Sequence, residues 1–342
     1  MIWLQTIQYT GNGIRRGLNM ISNARRSLQV AATLADRPDV VIGPSVPLGT
    51  GWAAARIAEK TGAAFVFEVH DVWPTILVDD GGLSKRNPVY HVFRAMEKSL
   101  YRRAQRISST LPFLFDHVAA SGSDPRKVTW VPNGVDFRRF AGHEKYGGGT
   151  SGQLTVMYVG GFGVAHDVFS ILRAAKILHE AGETGFRFVF VGNGPKKSGC
   201  QAEANAAGLR NIEFRDPVPK DMVPVIQTEA DVLVASVTES DSYWFGLNLN
   251  KLFDYFASSR PVVFSGKAPN DLVREANAGF SIPPEDPLAM AEALRMLRAL
   301  GAPARIAMGE RGRRYVEDNF DMRMLGERME SLLRQAIQAK GA

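Results

Sequence analysis

Short apolar runs alternate along the chain with longer segments in which apolar residues recur three or four apart. The runs in the first half are Asp39–Ser45, Ala64–Val69, Arg106–Ser109 and Lys127–Val131. Those in the second half are Leu154–Gly160, Phe186–Gly192, Ile212–Arg215, Val232–Ser236, Pro261–Ser265 and Phe280–Ile282. Between them fall helical patterns such as Phe169–Ala181. Strands alternating with amphipathic helices predict βαβ units and parallel sheets. Gly142–Gln153 holds three consecutive glycines and no apolar period, which predicts a linker. The expected organisation is α/β: a first domain over 1–141, a linker over 142–153 and a second domain over 154–320. A helix within 321–342, with Leu325, Met329, Leu332 and Leu333 on one stripe, is expected to pack back on the first domain. Two Rossmann-like domains of this kind would face a cleft at the carboxyl ends of their strands, where ligands bind.

The 342 residues suffice for two domains and include one cysteine, Cys200, so no internal disulfide is possible. No apolar run is long enough to span a bilayer, and the start lacks a charged-then-apolar leader pattern. A cytoplasmic location is the expectation. Charge is uneven. Residues 1–140 carry 18 Lys+Arg against 11 Asp+Glu, a net of +7, while the remainder carries 23 against 24, a net of −1. Arg15-Arg16, Arg25-Arg26, Arg102-Arg103 and Arg106 fall in helical patterns. Such stripes suit anionic lipid or a phosphorylated acceptor, or are simply solvated. No nucleic-acid motif accompanies them, so no nucleic-acid partner is expected.

Glycines sit where strands end. Gly160-Gly161-Phe162-Gly163 follows one strand and Gly192-Asn193-Gly194 the next. They fit either close approach to a phosphate or plain turn chemistry. Neither completes the Gly-x-Gly-x-x-Gly spacing, because Lys197 and His166 occupy the third positions, so a dinucleotide site is excluded. Further on, Asn250 is a candidate cap for a helix whose first turn holds Lys251, with Asp254 three residues later. A cation there opposes the helix dipole, so local stability does not explain it. Lys251 with the free N–H groups suits a diphosphate, and Asp254 suits ribose hydroxyls. The alternative is an ordinary surface Lys–Asp pair. His91, His117, His143 and His179 lack ligand spacing, so no metal is expected. Cys200 has no partner base in view, Asp167 reads as a helix cap, and Tyr243-Trp244-Phe245 fits base stacking less well than packing.

Val131-Pro132-Asn133-Gly134-Val135-Asp136, Tyr158-Val159-Gly160-Gly161, Val191-Gly192-Asn193-Gly194 and Asn250-Lys251-Leu252-Phe253-Asp254-Tyr255 together resemble family-4 glycosyltransferases of GT-B fold. With Glu68-Val69-His70-Asp71-Val72-Trp73-Pro74 and the Asn12, Arg15, Arg16 segment, the resemblance is to the branch of N-acetylfucosaminyl and related aminosugar transferases of O-antigen and capsule synthesis. The resemblance implies retaining, metal-independent transfer from a nucleoside diphosphate sugar, a UDP-sugar, to a lipid-linked or saccharide acceptor, with no cofactor and peripheral membrane association. It implies donor contacts from Gly161, Phe162, Gly163, Gly192, Gly194, Asn250, Lys251 and Asp254. Asn12, Arg15 and Arg16 would face the acceptor or the membrane. Glu68, His70 and Asp71 are the catalytic candidates, with Asp71 or His70 deprotonating the acceptor or positioning the sugar; a capping or turn role competes for Asp71. Four features depart from the family. His70 stands where the branch usually has Arg, and the Arg often found just after the Gly160 strand is not evident, which leaves Lys251 as the phosphate cation. Gly246 stands where many members carry the first of two glutamates, and Met1-Ile2-Trp3-Leu4 resembles a later strand of the fold, so an opening strand–helix unit is expected to be missing. The rival readings are a nucleotide-sugar epimerase of the same fold and a non-catalytic nucleotide-sugar-binding remnant.

Overall fold

The computed structural model describes residues 2–8, 14–79, 81–143, 146–149 and 152–341. Ten strands among them form two wholly parallel sheets, each within its own compact unit. The first unit comprises Met1–Pro132, Trp244–Asn248 and Leu325–Ala342; the second comprises Asn133–Tyr243 and Leu249–Met324. The second unit thus begins at Asn133, ahead of the boundary expected at 141. Val135 ties the chain after Asn133 to the second unit, its N–H donating to the Phe320 carbonyl at 2.8 Å, and the stretch expected as a linker, part of which (144, 145, 150 and 151) is outside the described residues, follows it there. Tyr146 is buried in the second unit, donates to Asp231 Oδ1 at 3.2 Å and accepts from Arg305 Nε at 3.1 Å. Arg305 also donates to the Gly148 carbonyl at 2.8 Å.

In the first unit, β1 (Val40–Pro44), β2 (Ala64–Val69), β3 (Arg106–Ser109) and β4 (Val128–Trp130) lie in that order. Helices Leu48–Thr61 and Pro88–Arg103 cover the sheet, and Leu100, Tyr101, Phe67 and Ile107 are core residues. Asn87 caps the second of these, accepting from Val89 N at 2.9 Å, with Pro88 at the first helical position. The last helix, Met322–Gly341, buries Leu332 and Ala336 against Ala64 and Val66 of β2, in agreement with its apolar stripe. Residues 2–8 form no strand, against expectation. Ile2 and Trp3 are exposed, and Asn19 Nδ2 donates to Thr6 Oγ1 at 3.0 Å and to the Ile7 carbonyl at 2.6 Å.

In the second unit, β5 (Leu154–Val159), β6 (Phe186–Val191), β7 (Ile212–Arg215), β8 (Val232–Ser236), β9 (Val262–Ser265) and β10 (Gly279–Ile282) are ordered β10-β9-β8-β5-β6-β7. Every residue of β5, β8 and β9 is buried, as parallel strands covered on both faces require. Helix Val168–Glu180 is capped by Asp167, as expected, and packs Ile171, Leu172, Ala175 and Leu178 into that core. The long helix Pro287–Asn319 is broken at Gly301, where φ of +78° precedes Pro303.

Candidate functional site

The strand order of the second unit reverses between β5 and β8. Such a switch point leaves a crevice at the carboxyl ends of the two strands. The loops there are tied together: Thr238 N donates to the Ala165 carbonyl at 3.1 Å, and Ser236 Oγ to the Asp167 carbonyl at 2.7 Å. Helix Asn250–Ala257 delivers Lys251 to the same place. Tyr255, one turn on, fixes the helix to the end of β5: its hydroxyl donates to the Val159 carbonyl at 3.0 Å and accepts from Val159 N at 2.9 Å. The ammonium of Lys251 donates to Tyr158 Oη at 2.9 Å and lies 4.2 Å from the centre of that ring. Tyr158 in turn donates to the Gly161 carbonyl at 2.6 Å. Among the described residues no carboxylate pairs with Lys251. The residue is half-buried, but its nitrogen sits beneath the Gly160 turn, and desolvation pushes its pKa down to about 7.

Asn250 is not the cap of this helix. Leu249 holds the cap position with extended backbone and no side-chain hydrogen bond, and Asn250 is the exposed first helical residue. The cap residue therefore offers the first turn no side-chain hydrogen bond, and Leu252 N turns back to the Leu249 carbonyl at 3.0 Å. Phe162, expected to contact a donor, is instead fully buried against Tyr158, Phe190 and Phe214. An aromatic ring after a glycine pair gains more from the core than from the crevice. Its backbone joins the two glycine loops: Phe162 N donates to the Asn193 carbonyl at 2.9 Å, and its own carbonyl accepts from Lys196 N at 3.1 Å. A Cβ on Gly192 would lie 1.9 Å from the Gly160 carbonyl oxygen, and one on Gly194 2.7 Å from Phe162 backbone. At these positions glycine is required by loop-on-loop contact. Gly161 and Gly163 meet no such neighbour, and Gly161 is exposed.

Asp254 does not pair with Lys251. Its Oδ1 accepts from Arg139 Nη1 at 3.4 Å, and Arg139 also donates to the Lys220 carbonyl. Burial raises the Asp254 pKa despite that guanidinium. His166 was absent from the expected site. Its Nδ1 is buried and has no hydrogen-bond partner among the described residues, and burial, then the Lys251 and Lys196 ammonium groups, push its pKa down to about 4; Ser236 backbone offsets only part of this. Cys200 is buried, with its thiol pushed up to about 11 by burial.

In the first unit, Glu68 is the penultimate residue of β2, and His70 and Asp71 follow the strand. His70 Nε2 lies 3.2 Å from Glu68 Oε2. That hydrogen bond raises the His70 pKa and lowers that of Glu68. Ser45 Oγ organises the turn: it accepts from His70 N at 3.1 Å and Asp71 N at 3.4 Å and donates to the Asp71 carbonyl at 3.0 Å. Arg15 is exposed on helix Ile14–Ala31, Arg16 lies in the same helix, and Asn12 falls outside the described residues. A buried polar group was missed entirely. Glu97 accepts from Tyr101 Oη at 3.1 Å, lies 2.6 Å from His117 Nε2 and pairs with Arg94. The His117 ring packs on Phe245 at 5.0 Å, while Trp244 is exposed. Among the described residues no three His, Cys, Asp or Glu side chains converge as a metal site would need, and no helix is long and apolar enough to cross a membrane.

Comparison with known proteins agrees with this geometry. Residues 4–134 match the glycosyl transferase 4-like domain, and residues 153–299 match glycosyl transferases group 1. The chain is 22% identical over 292 residues to the probable glycosyltransferase WbjE of Pseudomonas aeruginosa, covering 81% of this chain and 70% of that protein. Anabaena Alr3699/HepE in complex with UDP superposes with a TM-score of 0.71 at 13% identity, over 93% of this chain and 84% of that one. Sucrose-phosphate synthase from Thermosynechococcus elongatus gives a TM-score of 0.72 at 16% identity, over 94% and 79%. Two glycosyltransferase domains in succession, on two parallel-sheet units of GT-B type, make this chain a glycosyltransferase.

Proposed function

We propose that the chain moves a sugar from a UDP-sugar to a lipid-linked saccharide or polysaccharide precursor, with retention and without a metal, in O-antigen or capsule synthesis. The observation that carries this is Lys251: an ammonium at the switch point, desolvated, without a carboxylate, beside the uncapped start of a helix. A protein keeps such a cation when a ligand supplies the anion. Breaking the anomeric bond places negative charge on the departing diphosphate. Lys251, the N–H groups that open its helix ahead of Leu252, and the backbone of exposed Gly161 and half-buried Gly163 are the fixed donors that would stabilise it. Asp254, with Oδ1 held by Arg139, would turn Oδ2 to the ribose. Uridine is inferred because Anabaena Alr3699/HepE is named in complex with UDP and with UDP-glucose. On the acceptor side, His70 held by Glu68, together with Asp71, would position or deprotonate the incoming hydroxyl. The basic first unit would rest on the inner face of the cell membrane, where lipid-linked acceptors lie.

The test is calorimetry with UDP. Losing one charge-assisted contact costs roughly 1.5–3 kcal/mol, so Lys251→Ala should bind about tenfold or more weakly. Unchanged affinity refutes the assignment. Transfer should also persist in excess EDTA; loss of activity restored by Mg²⁺ or Mn²⁺ would refute the metal-free reading.

A further inference from the structure

We propose that Trp244 is the platform on which a sugar ring of the saccharide acceptor stacks. This rests on the reading above that the first unit holds that acceptor, and it adds the side chain that selects a pyranose ring there. Trp244 is 73% exposed, and among the described residues no other ring and no cation stacks on its indole. The residues after it are fixed in the first unit. The Phe245 carbonyl accepts from Phe113 N at 3.1 Å, the Phe245 ring packs on the core of that unit, and Leu247 is buried. Phe245 meets the His117 ring edge to face, with centres 5.0 Å apart. His117 is held in turn. Its Nε2 lies 2.6 Å from Oε1 of Glu97, a carboxylate with 1% of its surface exposed, which also accepts from Tyr101 and pairs with Arg94.

The same anchor sets Trp244 beside the end of β2, where Glu68, His70 and Asp71 lie. Phe113 ends the loop after β3. Thr110, in that loop, donates from N to the Val69 carbonyl at 3.0 Å and from Oγ1 to the His70 carbonyl at 3.3 Å. Three linked segments at the carboxyl edge of the first sheet thus carry an exposed indole and the acceptor-side candidates. Phe113, 44% exposed, adds a second aromatic side chain to that edge. Charged groups taken out of water lower stability unless closely paired, so a buried Arg94–Glu97–His117 set is a costly support for a loop with no ligand to meet. Supporting groups of this kind fix the geometry of a contact residue. An indole supplies wide contact area with few torsions to freeze. One face of a pyranose presents C–H groups while its rim carries hydroxyls. A flat aromatic ring covers the first and leaves the second to polar groups such as His70 and Asp71.

The experiment measures transfer from UDP-glucose and UDP-N-acetylglucosamine to the octyl glycosides of glucose, galactose and N-acetylglucosamine, beside 15N–1H spectra of the indole groups of the full chain. The 5 tryptophans give one indole signal each, and Trp244→Phe identifies the one it removes. A glycoside that binds should shift the Trp244 signal, whereas octanol, which shares the tail but not the ring, should leave it in place. Trp244→Ala should raise the KM for the acceptor about tenfold or more, with kcat, UDP affinity and melting temperature unchanged, and Trp244→Phe should recover most of the loss. Transfer that Trp244→Ala leaves unchanged, or slows through kcat alone, overturns the platform and leaves the saccharide-transfer reading intact. Weaker UDP binding by Trp244→Ala makes the indole a base contact and overturns it too. An equal shift with octanol assigns the ring to a hydrocarbon tail, and a dimer that Trp244→Ala dissociates assigns it to a second copy; either result overturns the proposal. A Trp244 shift without transfer supports the platform and counts against the transfer reading. Neither shift nor transfer with any glycoside overturns both.

Discussion

The depressed pKa of Lys251 makes a prediction about donor binding that a surface lysine would not. Only the ammonium form attracts a diphosphate. With the free-state pKa at about 7, half of the molecules carry that form at pH 7 and about one in a hundred at pH 9. A bound diphosphate favours the charged form and raises the pKa, so binding takes up a proton. If the bound pKa lies above 9, the apparent affinity for UDP should fall about fiftyfold between pH 7 and pH 9, because affinity scales with the competent fraction. The terminal phosphate of the ligand contributes little, since its second ionisation, at about 6, is about nine-tenths complete at pH 7, and the uracil N3–H, which begins to ionise at the alkaline end, is controlled by the Lys251→Met arm below. His166, at about 4, is neutral throughout. The Tyr158 and Tyr255 hydroxyls are raised by burial, away from this range. Calorimetry in buffers of different ionisation enthalpy reads both affinity and proton uptake. Lys251→Met should bind weakly with a flat profile. A flat wild-type profile, or the same slope in Lys251→Met, refutes the reasoning.

In the unliganded protein the same group acts with the opposite sign. The unfolded chain keeps the Lys251 proton to about pH 10.4. Between about 7 and that value the unfolded state binds more protons, so stability rises with pH, by up to about 1.4 kcal/mol per unit from this group. Wild type should therefore gain on Lys251→Met as pH rises through this window, and Lys251→Met should be the more stable of the two at pH 7.

Three further outcomes follow from contacts. Gly192→Ala, whose Cβ would strike the Gly160 carbonyl, should destabilise by about 3 kcal/mol or more in urea melts, while Gly161→Ala should stay within about 1 kcal/mol; equal effects would refute the loop-packing account. Glu97→Gln breaks a buried pair with Arg94 and His117 and should cost about 3–5 kcal/mol by the same melts, whereas a cost under about 1 would mean the network contributes little. Glu68→Gln should lower the His70 pKa, read by NMR titration. The pair's contribution is small because both groups are partly exposed. It is greatest between the ordinary Glu and His pKa values, fading as pH falls through the lowered Glu68 pKa or rises through the raised His70 pKa; an unmoved His70 pKa refutes the pairing.

The central strands were legible because parallel strands covered on both faces are largely apolar, while the edge strand Ile212–Arg215, half-buried along its length, carries Glu213 and Arg215 between its apolar residues. Ala64–Val69, Arg106–Ser109, Ile212–Arg215 and Val232–Ser236 coincide with their apolar runs. The same rule misled at residues 2–8, where Ile2 and Trp3 are apolar yet pair with no strand. It also left Tyr146 unread. One aromatic beside three glycines carries no period, and its anchors Asp231 and Arg305 lie 85 and 159 residues away.

At the site, sequence spacing located Lys251 but misassigned its neighbours. Lys251 and Asp254 are three apart, which suggests one shared face. Tyr255 settles the matter instead: its hydroxyl binds Val159 and turns the Lys251 side of the helix to β5, so Asp254 meets Arg139, 115 residues away. The glycine loops show a second limit. A glycine needed for a phosphate and one needed for a neighbouring loop look identical in a sequence. Gly192 and Gly194 fill the second role, because Gly160 and Phe162 backbone occupies the space a Cβ would take. The candidate anion site therefore rests on Lys251 and a helix start without a side-chain cap, together with the backbone of exposed Gly161 and half-buried Gly163, and a substitution at Gly192 would report on folding before it reported on donor binding.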